Sequence, residues 1–153
     1  MLMTREALAA LIPHAGTMCL LHGVLSWDET RIRCVARSHR DPDNPLRHAG
    51  RLAALCGVEY ASQAMAVHGG LIGGLTGGGT RPAAGYLASL RDLACHVERL
   101  DDVADDLIVD AENLTGEGSR VIYAFSLSAG GRELLSGRAA VVIDAGIADL
   151  GAA

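Results

Sequence analysis

A carboxylate inside an otherwise apolar stretch is the most chemically informative feature of the sequence. The stretch is Arg51–His68, RLAALCGVEYASQAMAVH, whose residues are small or apolar nearly throughout and which contains no proline. This pattern predicts a helix that is buried over most of its surface. Glu59 lies in that stretch, and Gln63 follows one helical turn later on the same face. Because removing a charge from water is costly, a carboxylate is rarely buried without a partner or a function.

General acid–base catalysis is the chemistry that this placement favours. Apolar surroundings would favour the neutral form of Glu59, whereas the start of a helix would favour its charged form. A neutral carboxyl suits a general acid, which contributes about 10²–10⁴-fold in rate; otherwise Glu59 caps the helix or pairs with an arginine. Gln63 would orient Glu59 or its water, or it faces a dimer interface. Gly57 would let substrate approach the backbone closely, or it is only a packing glycine.

The segment before this helix, His39–Gly50, is polar, contains two prolines and is predicted to be a loop. A loop rich in histidine and arginine that leads into the buried helix is where we expect chemistry. All thirteen basic residues are arginine. Six of them fall between residues 31 and 51, where they form either a solvated face or a collar for a phosphate or an acidic partner: Arg31, Arg33, Arg37, Arg40, Arg47 and Arg51.

Composition narrows the class of protein. A chain of 153 residues is predicted to form a single domain, 1–153. The net charge of −5 argues against nucleic acid as the main partner. No apolar run reaches the ~18 residues of a membrane span, and the start of the chain lacks a signal-peptide pattern, so a cytoplasmic protein is expected. The four cysteines form no CxxC pair, which predicts neither a zinc site nor a redox motif.

The remaining segments predict an α+β fold. A short helix is expected over Thr4–Leu11 with Thr4 as its N-cap, followed by strands over Met18–Ser26 and Thr30–Ser38 that form a hairpin at Asp28-Glu29. After the central helix, the glycine-rich stretch 69–79 is predicted to be flexible and non-helical. Four more strands follow, before a small-residue tail 145–153 that is expected to fray: Gly85–Val97, Leu107–Leu114, Arg120–Ser128 and Arg132–Asp144.

Consecutive hairpins favour an antiparallel sheet, and the one long apolar helix needs that sheet to bury it. The predicted architecture is therefore an antiparallel sheet wrapped around a long central helix. Such a sheet has edges, and pairing of edges across a twofold axis is a common way to cover one. We therefore expect a dimer.

Two motifs resemble a known family. IPHAGTMCLLHGVLSWDE resembles the opening PH-x-x-P-M/F-x-L-L-x-x-V of the hot-dog 3-hydroxyacyl-[acyl-carrier-protein] dehydratases. GRLAALCGVEYASQAMA resembles their central helix, in which a glutamate is followed four residues later by glutamine and then alanine. In appearance the sequence is most similar to the divergent dehydratases encoded in aryl-polyene pigment clusters. The motifs cover about a third of the chain, and the strands after the helix fit the rest.

The resemblance implies a hot-dog fold and loss of water from a 3-hydroxyacyl thioester, giving the trans-2-enoyl thioester. A histidine would take the α-proton, and Glu59, acting in a site shared with the other subunit, would handle the leaving hydroxyl. Backbone N–H groups at the helix start would polarise the thioester carbonyl. The substrate would be carried on the phosphopantetheine arm of an acyl carrier protein, with no other cofactor and no metal. Arg47 and Arg51, within the Arg37–Arg51 cluster, would meet its phosphate or the acidic carrier.

The sequence departs from the family at the histidine. At the spacing that these dehydratases use before their glutamate, the chain has Pro45, and the Pro-Gly before the helix is replaced by Ala53-Ala54. His48 is the nearest candidate base, and His14, in the PH motif, is a second; His39 could reach the site only if the loop is an insertion.

Three functional interpretations therefore stay open. In the first, the chain is an active dehydratase with a repositioned histidine. In the second, it is a catalytically impaired subunit that supports an active hot-dog partner, so the dimer is either homomeric or heteromeric. A thioesterase on the same fold is less favoured, because the Glu-x-x-x-Gln spacing is typical of the dehydratases.

Overall fold

The computed structural model describes residues 1–12, 16–75, 85–117 and 120–143. They form one antiparallel seven-stranded sheet, in the order β1-β2-β3-β5-β6-β7-β4, and two α-helices. The helices are α1 (Arg5–Ala9) and α2 (Gly57–Leu75). The strands are β1 (Met3–Thr4), β2 (Gly23–Trp27), β3 (Arg31–Ala36), β4 (Gly85–Cys95), β5 (Leu107–Glu117), β6 (Arg120–Ala129) and β7 (Arg132–Ile143).

The sheet wraps around α2, which confirms the predicted α+β hot-dog architecture. The buried face of α2 packs on β3, β5 and β6. The core between them consists mainly of aliphatic side chains, with three buried aromatic rings: Tyr60 from α2, and Tyr123 and Phe125 from β6. Within the described residues, no helix is both long and apolar enough to cross a membrane.

The first helix and first hairpin form largely where the sequence predicts them. The Thr4 hydroxyl accepts a hydrogen bond from the Ala7 amide at 3.3 Å, as an N-cap does. The Asp28 carboxylate accepts from the amides of Thr30 and Arg31, both at 2.8 Å, which closes the β2–β3 turn. These backbone hydrogen bonds also lower the pKa of Asp28. The strand predicted from Met18 begins only at Gly23.

The central helix is displaced along the chain from its predicted position. Arg51–Ala53 is not helical: the Leu52 carbonyl accepts from the Leu100 amide at 2.8 Å, and a 3₁₀ turn, Ala54–Cys56, precedes α2. At the other end, α2 continues through the glycines to Leu75, so the prediction of a non-helical stretch from residue 69 is wrong for 69–75. Gly70 packs directly against Leu11, and this packing offsets the helix penalty of about 1 kcal/mol per glycine. Residues 76–79 and the predicted tail 145–153 lie outside the described residues.

The later strands match their predicted starts and differ at their ends. The strand predicted over Gly85–Val97 ends at Cys95, and β5 extends three residues beyond its predicted end at Leu114. β1 was not predicted, because a two-residue strand has no periodic pattern. β1 and β4 are the two edges of the sheet.

Candidate active site

Glu59 lies in the first turn of α2 and is half-buried. Leu55, one turn earlier, is 56% exposed, and Ser62 and Ala66 on the same side are half-buried. The helix therefore has one partly open face, whereas the sequence predicted burial on nearly every side. Glu59 lies on this open face, next to the fully buried Tyr60.

The start of α2 is held in place by the segment 98–101. The Ala54 amide donates to the Glu98 carbonyl at 3.0 Å, and the Leu52 amide donates to the Asp101 carboxylate at 2.8 Å. Arg99 binds the same carboxylate, and this contact holds the pKa of Asp101 well below its usual range. Because Asp101 stays ionised, the turn that carries Glu59 is anchored by a charge-assisted hydrogen bond.

Gln63 is fully buried, and both ends of its amide bind the backbone of the segment before β2. Its oxygen accepts from the Leu20 amide at 2.9 Å, and its nitrogen donates to the Met18 carbonyl at 2.6 Å. Arg5 binds the same segment, through the carbonyls of Gly16 and Cys19. These contacts attach the chain that follows the PH motif to a point one turn away from Glu59.

The candidate histidines differ in their position and solvent exposure. His14 lies outside the described residues. His48 is exposed at a tight turn in which Ala49 and Gly50 both have positive φ, and its backbone exchanges hydrogen bonds with Arg51 at 2.8 and 3.0 Å. Its imidazole is therefore open to solvent in the single chain.

His39 is enclosed in the protein. It is fully buried, and its Nε2 donates to the carbonyls of Val103 and Asp105 at 3.1 and 3.0 Å. Burial lowers the pKa of His39, with a further contribution from Arg40. A neutral, enclosed histidine of this kind fixes the loop to the chain before β5, which is a structural role.

Gly57 is a packing glycine. A β-carbon at this position would lie 2.7 Å from Leu135 Cδ2 and 3.0 Å from Leu127 Cδ2, and both leucines are fully buried. The α-carbon therefore faces the sheet, and the expectation that substrate approaches it from that side is replaced by the packing interpretation.

The structure separates the arginines of the 31–51 segment. Arg31, Arg33 and Arg40 pair with Glu112, Asp110 and Asp106. Arg47 donates to the carbonyls of Gly50 and His39, so its guanidinium closes the loop and does not form part of an open collar. Arg37 and Arg51 are exposed and form no ion pair with any residue in the described ranges.

Three residues that the sequence analysis missed form a buried polar network next to Glu59. The Tyr60 hydroxyl lies 2.8 Å from Ser38 Oγ and accepts from Asn44 Nδ2 at 3.0 Å. Ser38 Oγ also donates to the Leu20 carbonyl at 2.7 Å. One signal was available: a tyrosine in a buried helix needs a partner for its hydroxyl, and the loop before the helix supplies polar side chains.

Comparison with known proteins gives a family and a set of structural neighbours. The family model described as ApeP-like, ApeP dehydratase, matches residues 6–150. No curated protein sequence matches the chain. Among solved structures, the dehydratase heterocomplex ApeI:P from Xenorhabdus doucetiae is similar, with a TM-score of 0.79 and 22% identity over 89% of this chain and 90% of that one.

Two thioesterases are also similar in structure. Zebra fish thioesterase superfamily member 2 has a TM-score of 0.62 and 13% identity, over 91% of this chain and 94% of that one. A hypothetical thioesterase protein with coenzyme A from Streptococcus pneumoniae has a TM-score of 0.56 and 10% identity, over 78% and 83%. At these identities the similarity shows a shared fold.

Proposed function

This chain belongs to the ApeP-like dehydratase family, and on that premise we propose that it removes water from 3-hydroxyacyl thioesters carried on acyl carrier protein. The observation that carries the proposal is the family match over nearly the whole chain, with Glu59 in the first turn of the central helix. The aryl-polyene resemblance of the two sequence motifs favours synthesis of polyene-type chains.

The proposed step is an elimination. A histidine takes the proton from the α-carbon, the C–O bond at the β-carbon breaks, and the carboxyl of Glu59 protonates the departing hydroxyl, so that water and the trans-2-enoyl thioester form. For the base, the contacts of Gln63 support His14, because they attach the chain just after it to α2. His48 is the alternative, since its exposed turn would serve a site completed by a second subunit.

Carrier recognition is proposed for Arg37 and Arg51. Both are exposed and free of ion pairs to described residues, unlike Arg31, Arg33 and Arg40. Arg37 lies at an open cleft of about 450 Å³ that Arg5 and Arg40 also line. Guanidinium groups in such a cleft suit the phosphate of a phosphopantetheine arm or the acidic surface of a carrier protein.

The second candidate function is that of a supporting subunit in a heterodimer. Two observations favour it: the similar dehydratase structure is a heterocomplex, and α2 has an open face beside an exposed Leu55. The edge strand β4 offers the unpaired backbone for joining two sheets. In this arrangement Glu59 would contribute to a site whose histidine belongs to the partner.

One experiment separates the two functions. The purified chain is incubated with a 3-hydroxyacyl-carrier thioester, alone and after co-expression with a hot-dog dehydratase partner, and loss of one water is followed by mass spectrometry. Loss by the chain alone supports an active enzyme. Loss that needs the partner and disappears with Glu59→Gln supports a shared site, and no loss in either arm overturns the proposal.

A further inference from the structure

We propose that Tyr60 is a positioning residue of the dehydration reaction: its buried hydrogen-bond network fixes, relative to Glu59, residues 38–44 and, through Ser38, Leu20, which are the described neighbours in sequence of the two candidate histidines. This inference rests on the proposed function. Tyr60 directly follows Glu59 in α2. Its hydroxyl contacts Ser38 and Asn44, and Ser38 in turn binds the Leu20 carbonyl.

The hydrogen positions in this network follow from its chemistry. The Leu20 carbonyl only accepts, so the single proton of the Ser38 hydroxyl is used there. Ser38 must therefore accept from the Tyr60 hydroxyl, which in turn accepts from the Asn44 amide nitrogen. Burial raises the pKa of Tyr60, so the hydroxyl keeps its proton and remains a donor.

The network reaches the sequence neighbourhoods of His14 and His48. Leu20 is held at both ends, since its amide donates to Gln63 and its carbonyl accepts from Ser38. Asn44 belongs to the loop that leads to His48, and its second contact is the Ser38 carbonyl at 2.8 Å. Neither segment has a strand or α-helix of its own at these residues, so side-chain hydrogen bonds hold them on α2.

Tyr123 provides a matched control in the same protein. It is 4% exposed, close to the complete burial of Tyr60, and its hydroxyl also makes a buried hydrogen bond, to His68 Nδ1 at 2.7 Å. That partner lies further along α2, away from residues 18–20 and 38–44. Removing either hydroxyl is therefore a comparable chemical change, but only the Tyr60 hydroxyl contacts the loop that leads to His48 and, through Ser38, is linked to Leu20.

The test compares Tyr60→Phe with Tyr123→Phe in whichever assembly dehydrates the carrier-bound substrate, the chain alone or with its hot-dog partner. Rates are measured at a temperature well below the thermal unfolding of both variants. We expect Tyr60→Phe to lower kcat about 10- to 100-fold, as a small misplacement of catalytic groups does, and to leave KM unchanged. Tyr123→Phe should leave kcat unchanged. Hydrogen exchange of the Leu20 amide is measured in both variants and should be faster only in Tyr60→Phe.

Equal kcat values for the two variants would overturn the positioning role. If Tyr60→Phe does not fold, Ser38→Ala, which removes the next hydroxyl in the network, is held to the same criteria. If no wild-type assembly dehydrates the substrate, the proposed function fails by itself. Unchanged Leu20 exchange in Tyr60→Phe would overturn the positioning proposal even where dehydration is observed.

Discussion

The first turns of α2 and its middle both bury polar side chains, but those side chains bind different kinds of structure. Near its start, Tyr60 and Gln63 bind two segments that lie outside the strands and α-helices, residues 18–20 and 38–44. Further along, His68 lies between the Tyr123 hydroxyl of β6 and the Asp28 carbonyl of the β2–β3 turn, at 2.7 and 2.8 Å. The second set of partners is already held by strand pairing, whereas the first is held mainly by side-chain hydrogen bonds, from α2 and also from Arg5 and His39.

This difference separates positioning from stability. Where regular structure fixes the partners, a lost hydrogen bond costs free energy of unfolding and moves little else. Where side-chain hydrogen bonds carry more of the attachment, the same loss should also let a segment move. The start of α2, where Glu59 lies, is therefore the part of the helix at which we expect a conservative substitution to change activity as well as stability.

The largest effect is expected at the acid itself. Glu59→Gln should reduce dehydration by about 10²–10⁴-fold, because the proposed general acid is lost, with the circular dichroism spectrum unchanged. Glu29→Gln is the control. It removes an equal charge at the exposed β2–β3 turn, which contacts α2 at His68, and it should leave turnover intact. Full turnover by Glu59→Gln would make Glu59 structural.

Gln63→Leu should lower the free energy of unfolding by about 2–4 kcal/mol, because two backbone groups at Met18 and Leu20 lose their partner. Urea denaturation measures this change. Ser62→Ala, on the partly open face of the same helix turn, is the control and should alter stability little. Equal stabilities of the two variants would mean that residues 18–20 are held by other contacts.

Replacing glycine by alanine should have opposite effects on stability at two positions of α2, its first residue and Gly69. Gly57→Ala should lower the free energy of unfolding by about 1–3 kcal/mol, because the new methyl group meets Leu127 and Leu135. Gly69→Ala has no atom within 4 Å of its β-carbon and should raise stability by about 0.5–1 kcal/mol. Thermal unfolding of both variants tests this; destabilisation by Gly69→Ala would contradict an open helix face.

The smallest expected effect is a change in how the free energy of unfolding depends on pH. Burial lowers the pKa of both His39 and His68 below the ordinary 6.5. Below about pH 6.5 the unfolded chain therefore binds more protons than the folded chain. The contribution of these two neutral histidines to the free energy of unfolding is fully present above that pH and decreases as the pH falls below it. His68→Gln should reduce the loss of unfolding free energy between pH 7 and pH 5, a range that spans the ordinary histidine pKa of ~6.5. Urea denaturation at each pH measures this loss. An unchanged loss in the variant would assign it to other groups.

Local patterns predicted much of the fold. The alternation of arginine with Ile32 and Cys34 placed β3 correctly, because a strand exposes every second residue. The first and last residues of α2 could not be predicted in the same way. Its start is set by pairing of Leu52 and Ala54 with residues 98–101, and its glycine-rich continuation is supported by Leu11. Those partners are distant in sequence, so helix propensity alone favoured the wrong boundaries.

The site was predictable in its residue types and much less in its contacts. Glu59 stood out as a carboxylate in an apolar stretch. The roles of Gln63, Arg47 and Tyr60 depend on which backbone groups the folded loops present, and Gln63 and Leu20 are 43 positions apart. No periodic pattern contains that information.

The shape of the edge strand β4 has a consequence for the isolated chain in solution. Its pairing with β7 shifts register twice, between Leu87 and Ser89 and between Arg91 and Ala94, and Asp92 has a positive φ of 54°. Bulges twist an edge and divide its row of free backbone groups into short segments. Strands from unrelated or misfolded chains therefore find little straight edge on which to add, which protects the chain from aggregation while a complementary edge of matching shape can still bind.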